Sequence, residues 1–244
     1  METKLSGVVA VNGSPRANEG MTDIVVRRFL AGAESAGAHT EVLYPAKMKI
    51  APCLGCLYCW FRTPGVCRHK DDHPVLMEKL RQADLVVFAT PIYVDGMTGQ
   101  MKTMFDRFVT YTPPFFEFEG HRSYHPRVGE KEFRVVVISV CGFPEREHFD
   151  AVDLHFKRIA ENMRAVSLGE MYFPAASIMA TEPGVVEPNL QAVEAAGAEA
   201  VRDAAISADT LERANREYID DPRAFGEKLN EIFHGLRRHH GTEV

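Results

Sequence analysis

Apolar runs closed by turn residues alternate with segments whose apolar positions recur at the helical period, and that alternation organises most of the chain. Residues 5–11 read as a buried strand, and 21–35 as the helix that follows it. A second strand is expected at 40–44. After a cysteine-bearing stretch, 74–82 reads as a helix with Pro74 near its start, and 85–90 is a continuous apolar strand. The next helix is expected over 98–110. Residues 133–140 form a β-branched run suited to the middle of a parallel sheet, and they lead into a helix over 147–163 and a fifth strand at 166–173.

Five strands separated by helices imply a doubly wound α/β fold, because right-handed crossovers place helices on both faces of a parallel sheet. Beyond Pro174 the composition shifts to Ala, Glu and Arg without a strand signal. Two helices are expected there, one starting near Pro188 and one near Pro222 with Asp221 as N-cap. The chain therefore divides into an α/β domain over 1–175 and a helical extension over 176–244.

Composition narrows the function. With 45% of its 244 residues hydrophobic, the chain can bury a substantial core. Its 34 acidic and 28 basic residues give a net charge of −6 without a Lys/Arg run, which argues against nucleic acid as a partner. The apolar stretch Gly7 to Val11 is too brief for a signal-peptide core, and no run approaches a membrane span. Five cysteines are too few for a disulfide scaffold. A cytoplasmic protein free of membranes is expected.

In a doubly wound sheet, ligands sit at the carboxyl ends of the strands where the strand order reverses. The first such loop runs from Asn12 to Thr22. Ser14, Asn18 and Thr22 offer short polar side chains, Arg16 a fork-shaped cation, and the following helix an N-terminus with unpaired N–H groups. Together these would hold a terminal phosphate; an ordinary strand-to-helix turn is the alternative. The loop matches neither the GxGxxG of dinucleotide folds nor the P-loop, which disfavours FAD, NAD in a Rossmann site and ATP. The second loop, Thr90 to Met97, combines Pro91, Tyr93 and Gly96 where a planar ring would need close backbone approach. Gly142 follows the strand that ends at Val140.

These pieces resemble the NADPH-dependent FMN reductase family, the reductase branch of the flavodoxin-like fold. The matching residues are Asn12-Gly13-Ser14-Pro15-Arg16, Pro52-Cys53-Leu54-Gly55-Cys56 leading to Lys70-Asp71-Asp72, and Ala89-Thr90-Pro91-Ile92-Tyr93 running on to Gln100-Met101-Lys102 and Phe105-Asp106-Arg107. The resemblance implies bound FMN, with Ser14, Arg16, Asn18 and Thr22 around its phosphate and Pro91, Ile92, Tyr93 and Met97 along the isoalloxazine. Gly142 completes the expected cofactor set. It also implies NAD(P)H as reductant, a small acceptor such as a quinone, flavin, nitro or azo compound, and a homo-oligomer, dimer or tetramer. The alternative is an electron-transfer protein serving a protein partner. Glu19-Gly20-Met21 lengthens the first loop against the family's usual pattern, and Asp95 is an acid beside the expected ring. Lys102 and Asp106, four apart on a helix, read as a local ion pair. Because a flavin carries the chemistry, no catalytic side chain is singled out.

Cys53, Cys56, Cys59 and Cys67 give CxxCxxC and then a longer gap, enough thiolates for a [4Fe–4S] cluster or zinc; free thiols are the third reading. The spacing resembles the compact cluster motif of the iron–sulfur flavoproteins of the same superfamily. Cys141 reads as a small buried residue, and the histidines, His121, His125, His239 and His240 included, as packing or solvated groups. The segment 112–131, rich in aromatics, is expected either to fold over the exposed face of the flavin or to pack on another subunit.

Overall fold

The computed structural model describes residues 4–126 and 131–239. In chain order its strands are β1 (Gly7–Asn12), β2 (His39–Leu43), β3 (Leu85–Pro91), β4 (Glu117–Glu119), β5 (Arg122–Tyr124), β6 (Arg134–Val140) and β7 (Val166–Phe173). Five of them form one parallel sheet in the order β2-β1-β3-β6-β7, which is the flavodoxin-like order. β4 and β5 form a separate antiparallel pair.

The helices are α1 (Met21–Ser35), α2 (Tyr58–Phe61), α3 (His73–Gln82), α4 (Gly99–Phe105), α5 (Asp150–Asn162), α6 (Ile178–Thr181), α7 (Pro183–Asp203), α8 (Ala208–Ala214) and α9 (Pro222–His239). Successive side chains of a strand point to opposite faces, so each inner strand feeds two cores. Val8 and Ala10 with Leu85, Val87, Val136 and Ile138 pack under α1 and α7. Val9 and Val11 with Val86, Phe88, Val135 and Val137 pack under α3, α4 and α5. Burial on both faces is why β3 and β6 read as unbroken apolar runs, whereas the edge strand β2 keeps His39 and Glu41 exposed.

α7 is built into this core. It crosses α1 so closely that a Cβ on Gly32 would lie 1.8 Å from the carbonyl oxygen of Glu194, and one on Gly197 would lie 1.9 Å from that of Phe29. Each glycine admits the other helix's backbone. Arg28 of α1 reaches Glu187 at 2.7 Å and Glu194 at 3.4 Å beside the crossing.

The expected sheet is present, and α1 and β7 keep their expected bounds. The 98–110 helix is instead α4 followed by a 3-10 turn over Phe108–Tyr111. α7 begins at Pro183 and carries Pro188 inside it, so the first proline of the pair, not the second, starts the helix. α8 was not expected; Ser207 caps it by accepting from the Thr210 amide at 3.2 Å. Asp221 caps α9 as expected, accepting from the Ala224 amide at 2.9 Å.

The segment after Tyr111 is not an irregular loop but carries the β4–β5 hairpin. Arg122 pairs with Glu161 at 2.8 Å and Glu117 with Arg164 at 3.1 Å. Glu161 and Arg164 stand where α5 hands over to β7, at the amino edge of the sheet. The hairpin therefore lies across the sheet from the strand carboxyl ends and does not cover this chain's own crevice there. Residues 127–130 of the expected lid, and His240, lie outside the described residues.

Candidate functional site

β1 and β3 are neighbours whose chains continue to opposite faces, β1 into α1 and β3 into α4, and the crevice opens between their carboxyl ends. Its first wall is fastened from several sides. Gly13 donates to the Ala89 carbonyl at 2.7 Å and accepts from the Thr98 hydroxyl at 2.6 Å. Ser14 N–H donates to Asn12 Oδ1 at 3.0 Å, and Asn12 Nδ2 donates to Asp23 Oδ1 at 3.1 Å. A Cβ on Gly20 would meet Ser14 Oγ at 2.5 Å, so the loop folds back directly over the start of α1. Among the described residues no side chain caps that helix end. A long helix with an uncapped N-terminus under a polar loop is an anion cradle.

The structure distributes the four expected phosphate residues unequally. Ser14 and Thr22 are buried at the base of the cradle, while Arg16 and Asn18 stand exposed on its rim. A fifth residue joins them: Lys47, from the turn after β2, donates to Asn18 Oδ1 at 2.6 Å. The acid in the first turn of α1, Asp23, is occupied by Arg27 at 3.3 Å and by the Tyr44 hydroxyl at 2.7 Å. These bonds divert its charge from the cradle.

The second wall follows β3. Thr98 N–H donates to Thr90 Oγ1 at 3.2 Å, and Ile92 N–H donates to the Val140 carbonyl at 2.9 Å, which ties the loop to β6. Tyr93 and Gly96 bridge each other through Val94 and Asp95, both in the left-handed region at φ 48° and 57°. This is the geometry of a tight type I′ turn. A β-branched residue is strained there, yet Val94 is 99% exposed at its tip. Pro91 and Ile92 are partly buried and Tyr93 is exposed, but Met97 sits in the core under α3, α4 and α5, where it supports the turn from beneath.

Gly142 stands on the rim with open space where its Cβ would be. Next to it Phe143 is 59% exposed and stacks on His148 at 4.4 Å. Pro91 and Val140 are paired in register, so Tyr93 and Phe143 rise from adjacent strand ends. Cys141 is buried; burial pushes its thiol up, and the carboxylates of Asp95 and Glu145 add to the effect.

The cysteines form a second place of interest. A cavity of about 160 Å³ is lined by Cys53, Cys56, Cys59 and Cys67 together with His69, Arg107 and Val109. Gly55 and Leu57 in left-handed conformations fold the CxxCxxC segment into this wall. The Cys59 thiol is pushed up by burial and then by its proximity to Cys67, Cys53 and Cys56. Among the described residues, no three His, Cys, Asp or Glu side chains converge as a single metal ion requires. Four cysteines in the wall of one cavity are the donor number that either a zinc ion or an iron–sulfur cluster takes.

Arg107 seals the inner side. Its side chain is 1% exposed, its Nη1 binds the Asp71 carboxylate and the Ala51 carbonyl (3.3 Å), and its Nε and Nη2 have no hydrogen-bond partner among the described residues. The Trp60 indole N–H, in α2, donates to the carbonyls of Val109 at 3.0 Å and Thr112 at 2.6 Å. Lys102 and Asp106 form their expected ion pair at the surface. His125 packs between Trp60 and Phe116 and binds the Phe115 carbonyl through Nδ1 at 3.0 Å, a packing role as expected.

A family model described as NADPH-dependent FMN reductase matches residues 7–179, the whole sheet with both walls of the crevice. The chain belongs to this family. FMN and a nicotinamide are the cofactors the family implies, and the cradle, with its buried hydroxyls and rim cations, fits the FMN phosphate. An iron–sulfur flavoprotein of Methanocaldococcus jannaschii is 34% identical over 100 residues, 41% of this chain and 50% of that protein. A Bacillus subtilis relative named for NAD(P)H-dependent, FMN-containing oxidoreduction is 25% identical over 170 residues, covering 67% of this chain and 84% of its own. The chain spans about half the length of the iron–sulfur flavoproteins it matches.

Solved structures share the fold of this FMN reductase family member at low identity. An FMN-dependent NADH-azoreductase from Bacillus anthracis in complex with FMN superposes with a TM-score of 0.58 at 12% identity, covering 81% of this chain and all (100%) of that one. An NAD(P)H:quinone oxidoreductase from Methanothermobacter marburgensis gives 0.55 at 18%, covering 80% and 96%. No helix among the described residues is long and apolar enough to cross a membrane.

Proposed function

We propose that the protein is an FMN-dependent oxidoreductase that takes electrons from NAD(P)H and passes them to a small flat acceptor of the quinone, flavin, nitro or azo type. The observation that carries this reading is the cradle: a polar loop folded over the uncapped N-terminus of α1, with Ser14 and Thr22 buried inside it and Arg16, Asn18 and Lys47 at its mouth. Ser14, Thr22 and the first α1 amides would bind the phosphate oxygens, and Arg16 and Lys47 would balance their charge. Pro91, Ile92 and Tyr93, with Gly142 on the opposite rim, border the space for the isoalloxazine. Bound flavin supplies hydride acceptance from the nicotinamide and electron delivery to the acceptor. Exposed Tyr93, Val94 and Phe143 offer apolar surface against which a planar acceptor can stack.

The flavin contacts all belong to residues 1–175, with 176–244 a helical extension whose α7 braces α1. The protein acts in the cytoplasm as a homo-oligomer, dimer or tetramer. The exposed Phe115, Phe116 and Phe118 of the hairpin and Ile232, Phe233 and Leu236 of α9 give a second copy apolar surface to pack on. The four cysteines hold a [4Fe–4S] cluster, a reading supported by their shared cavity and by the relatives named iron–sulfur flavoprotein. That cavity also favours a second reading, in which the protein hands single electrons to a protein partner.

Anaerobic NADPH and NADH oxidation with a quinone or free-flavin acceptor tests the first reading. Turnover with the acceptor supports the enzyme; a protein that binds FMN yet turns over only with an added electron-carrier protein supports the second. Arg16→Ala should weaken FMN by about 10- to 100-fold, from the loss of one charged contact of about 1.5–3 kcal/mol, and leave riboflavin affinity unchanged. Titration of flavin fluorescence measures both, and equal losses would remove Arg16 from the phosphate site.

A further inference from the structure

Arg107 is the largest fully buried side chain among the described residues, and the fold uses only one end of it. Nη1 is tied to Asp71 and Ala51, whereas Nε and Nη2 are enclosed without a hydrogen-bond partner among the described residues. Such groups are costly to bury unpaired, and an ion pair that served stability alone would gain from a second carboxylate or carbonyl here. Instead, the guanidinium stands in the wall of the cysteine cavity, beside the Cys67 thiol. A second orphan, His69 Nε2, belongs to the same wall. Four sulfurs, an unpartnered guanidinium edge and otherwise largely apolar lining match a compact anionic occupant whose surface accepts hydrogen bonds.

An iron–sulfur cluster held by four thiolates is such an occupant, since it carries net negative charge and its sulfurs accept N–H bonds that shift its potential. We propose that Arg107 is the counter-charge of the cluster: tethered by Asp71, it presents Nε–H and Nη2–H to the cluster sulfurs and raises the reduction potential. This rests on the cysteine reading above. Reduction adds one electron and one negative charge to the cluster and breaks no bond, so a fixed cation at its side favours the reduced state. Arg107 follows directly from α4, whose other end opens on the flavin crevice, so the same short helix adjoins both centres. Arg107 is thus a positioning and tuning residue.

The test uses the full chain, reconstituted anaerobically with iron and sulfide, as wild type, Arg107→Gln and Arg107→Lys. Iron and sulfide are assayed, and the cluster midpoint is measured by mediated redox titration followed by absorption and electron paramagnetic resonance. Wild type should hold about four irons per chain. Arg107→Gln should keep the iron but make reduction at least tenfold less favourable, a negative shift of about 59 mV or more for one electron. Arg107→Lys, which keeps the charge and loses the fork, should shift the same way by less, and it decides the question if the Gln variant does not fold. An iron-loaded wild type with midpoints unmoved in the variants overturns the role of Arg107 and leaves the cluster standing. An iron-free wild type overturns the cysteine reading and this proposal with it.

Discussion

Replacing Gly32 or Gly197 with Ala is expected to destabilise the protein by about 3 kcal/mol or more, at the upper end of overpacking effects. Helix propensity alone points the other way, since Ala in a helix interior is favoured over Gly by about 1 kcal/mol. Sterics win because the new Cβ would stand 1.8 Å from the Glu194 carbonyl oxygen or 1.9 Å from that of Phe29, and backbone cannot rotate aside as a side chain can. α1 and α7 would have to separate along the seam where Phe29, Ala33, Val193 and Ala200 are buried. For a domain of this size a loss of 3 kcal/mol lowers the melting temperature by roughly 6–12 °C. Gly226→Ala in exposed α9, where nothing lies within 4 Å of the added carbon, is the control. It should be neutral or slightly stabilising in the same calorimetric scan. Equal behaviour of the three variants would mean that the crossing is looser than its geometry indicates.

Asp71→Ala is the second large effect. The carboxylate lies against the Arg107 guanidinium and accepts the Ala51 amide at 2.9 Å, so its removal strands a buried cation; the expected loss is about 3–5 kcal/mol. The pH dependence carries a signature. Burial alone would raise the Asp71 carboxyl, but Arg107 and the Ala51 amide outweigh it and hold the group below the ordinary carboxylate range. Its stabilisation is therefore complete above the unfolded value of about 3.9 and is lost as pH falls through the lower folded value. His73 acts earlier. Burial, and then the nearby Arg107 charge, push its imidazole down to about 4, so the unfolded chain takes up a proton that the folded chain refuses. Between about pH 6.5 and 4 stability should fall by on the order of 3 kcal/mol from this residue. Urea titrations across pH should show that first stage in wild type and its absence in His73→Gln. Asp71→Ala should instead lose the stage below about pH 4.

The pair just described also marks what could be read from the chain and what could not. Lys102 and Asp106 were legible because they stand four apart on one helix. Asp71 and Arg107 are separated by a strand and two helices, and only the fold makes them partners; Lys47 reaches Asn18 in the same non-local way. The inner strands were legible because burial on both faces leaves unbroken β-branched runs, and α1 because its apolar stripe is regular. The β4–β5 hairpin escaped because its strands are three residues each and belong to neither core, so the aromatics of the segment read as a lid or a subunit contact. α8 escaped because its only clear signal, Ser207, follows an Ala-rich stretch in which no boundary stands out. Of the residues expected around a flavin, Ser14 and Thr22 are buried at the start of α1 and Arg16 and Asn18 are exposed beside it, while Met97 faces the core because the turn at Val94 and Asp95 reverses the chain before it.

Trp60 is the only tryptophan in the protein, and its indole N–H is shared between two carbonyls at the far side of the cysteine loop. Nature has thereby supplied an optical label at the place where one would be engineered. Emission from that single ring reports whether the loop is clasped or released, and any coloured group that fills the cavity beside it will drain the excited state by energy transfer. Loading and loss of such a group can therefore be timed in unmodified protein whose flavin content is held constant.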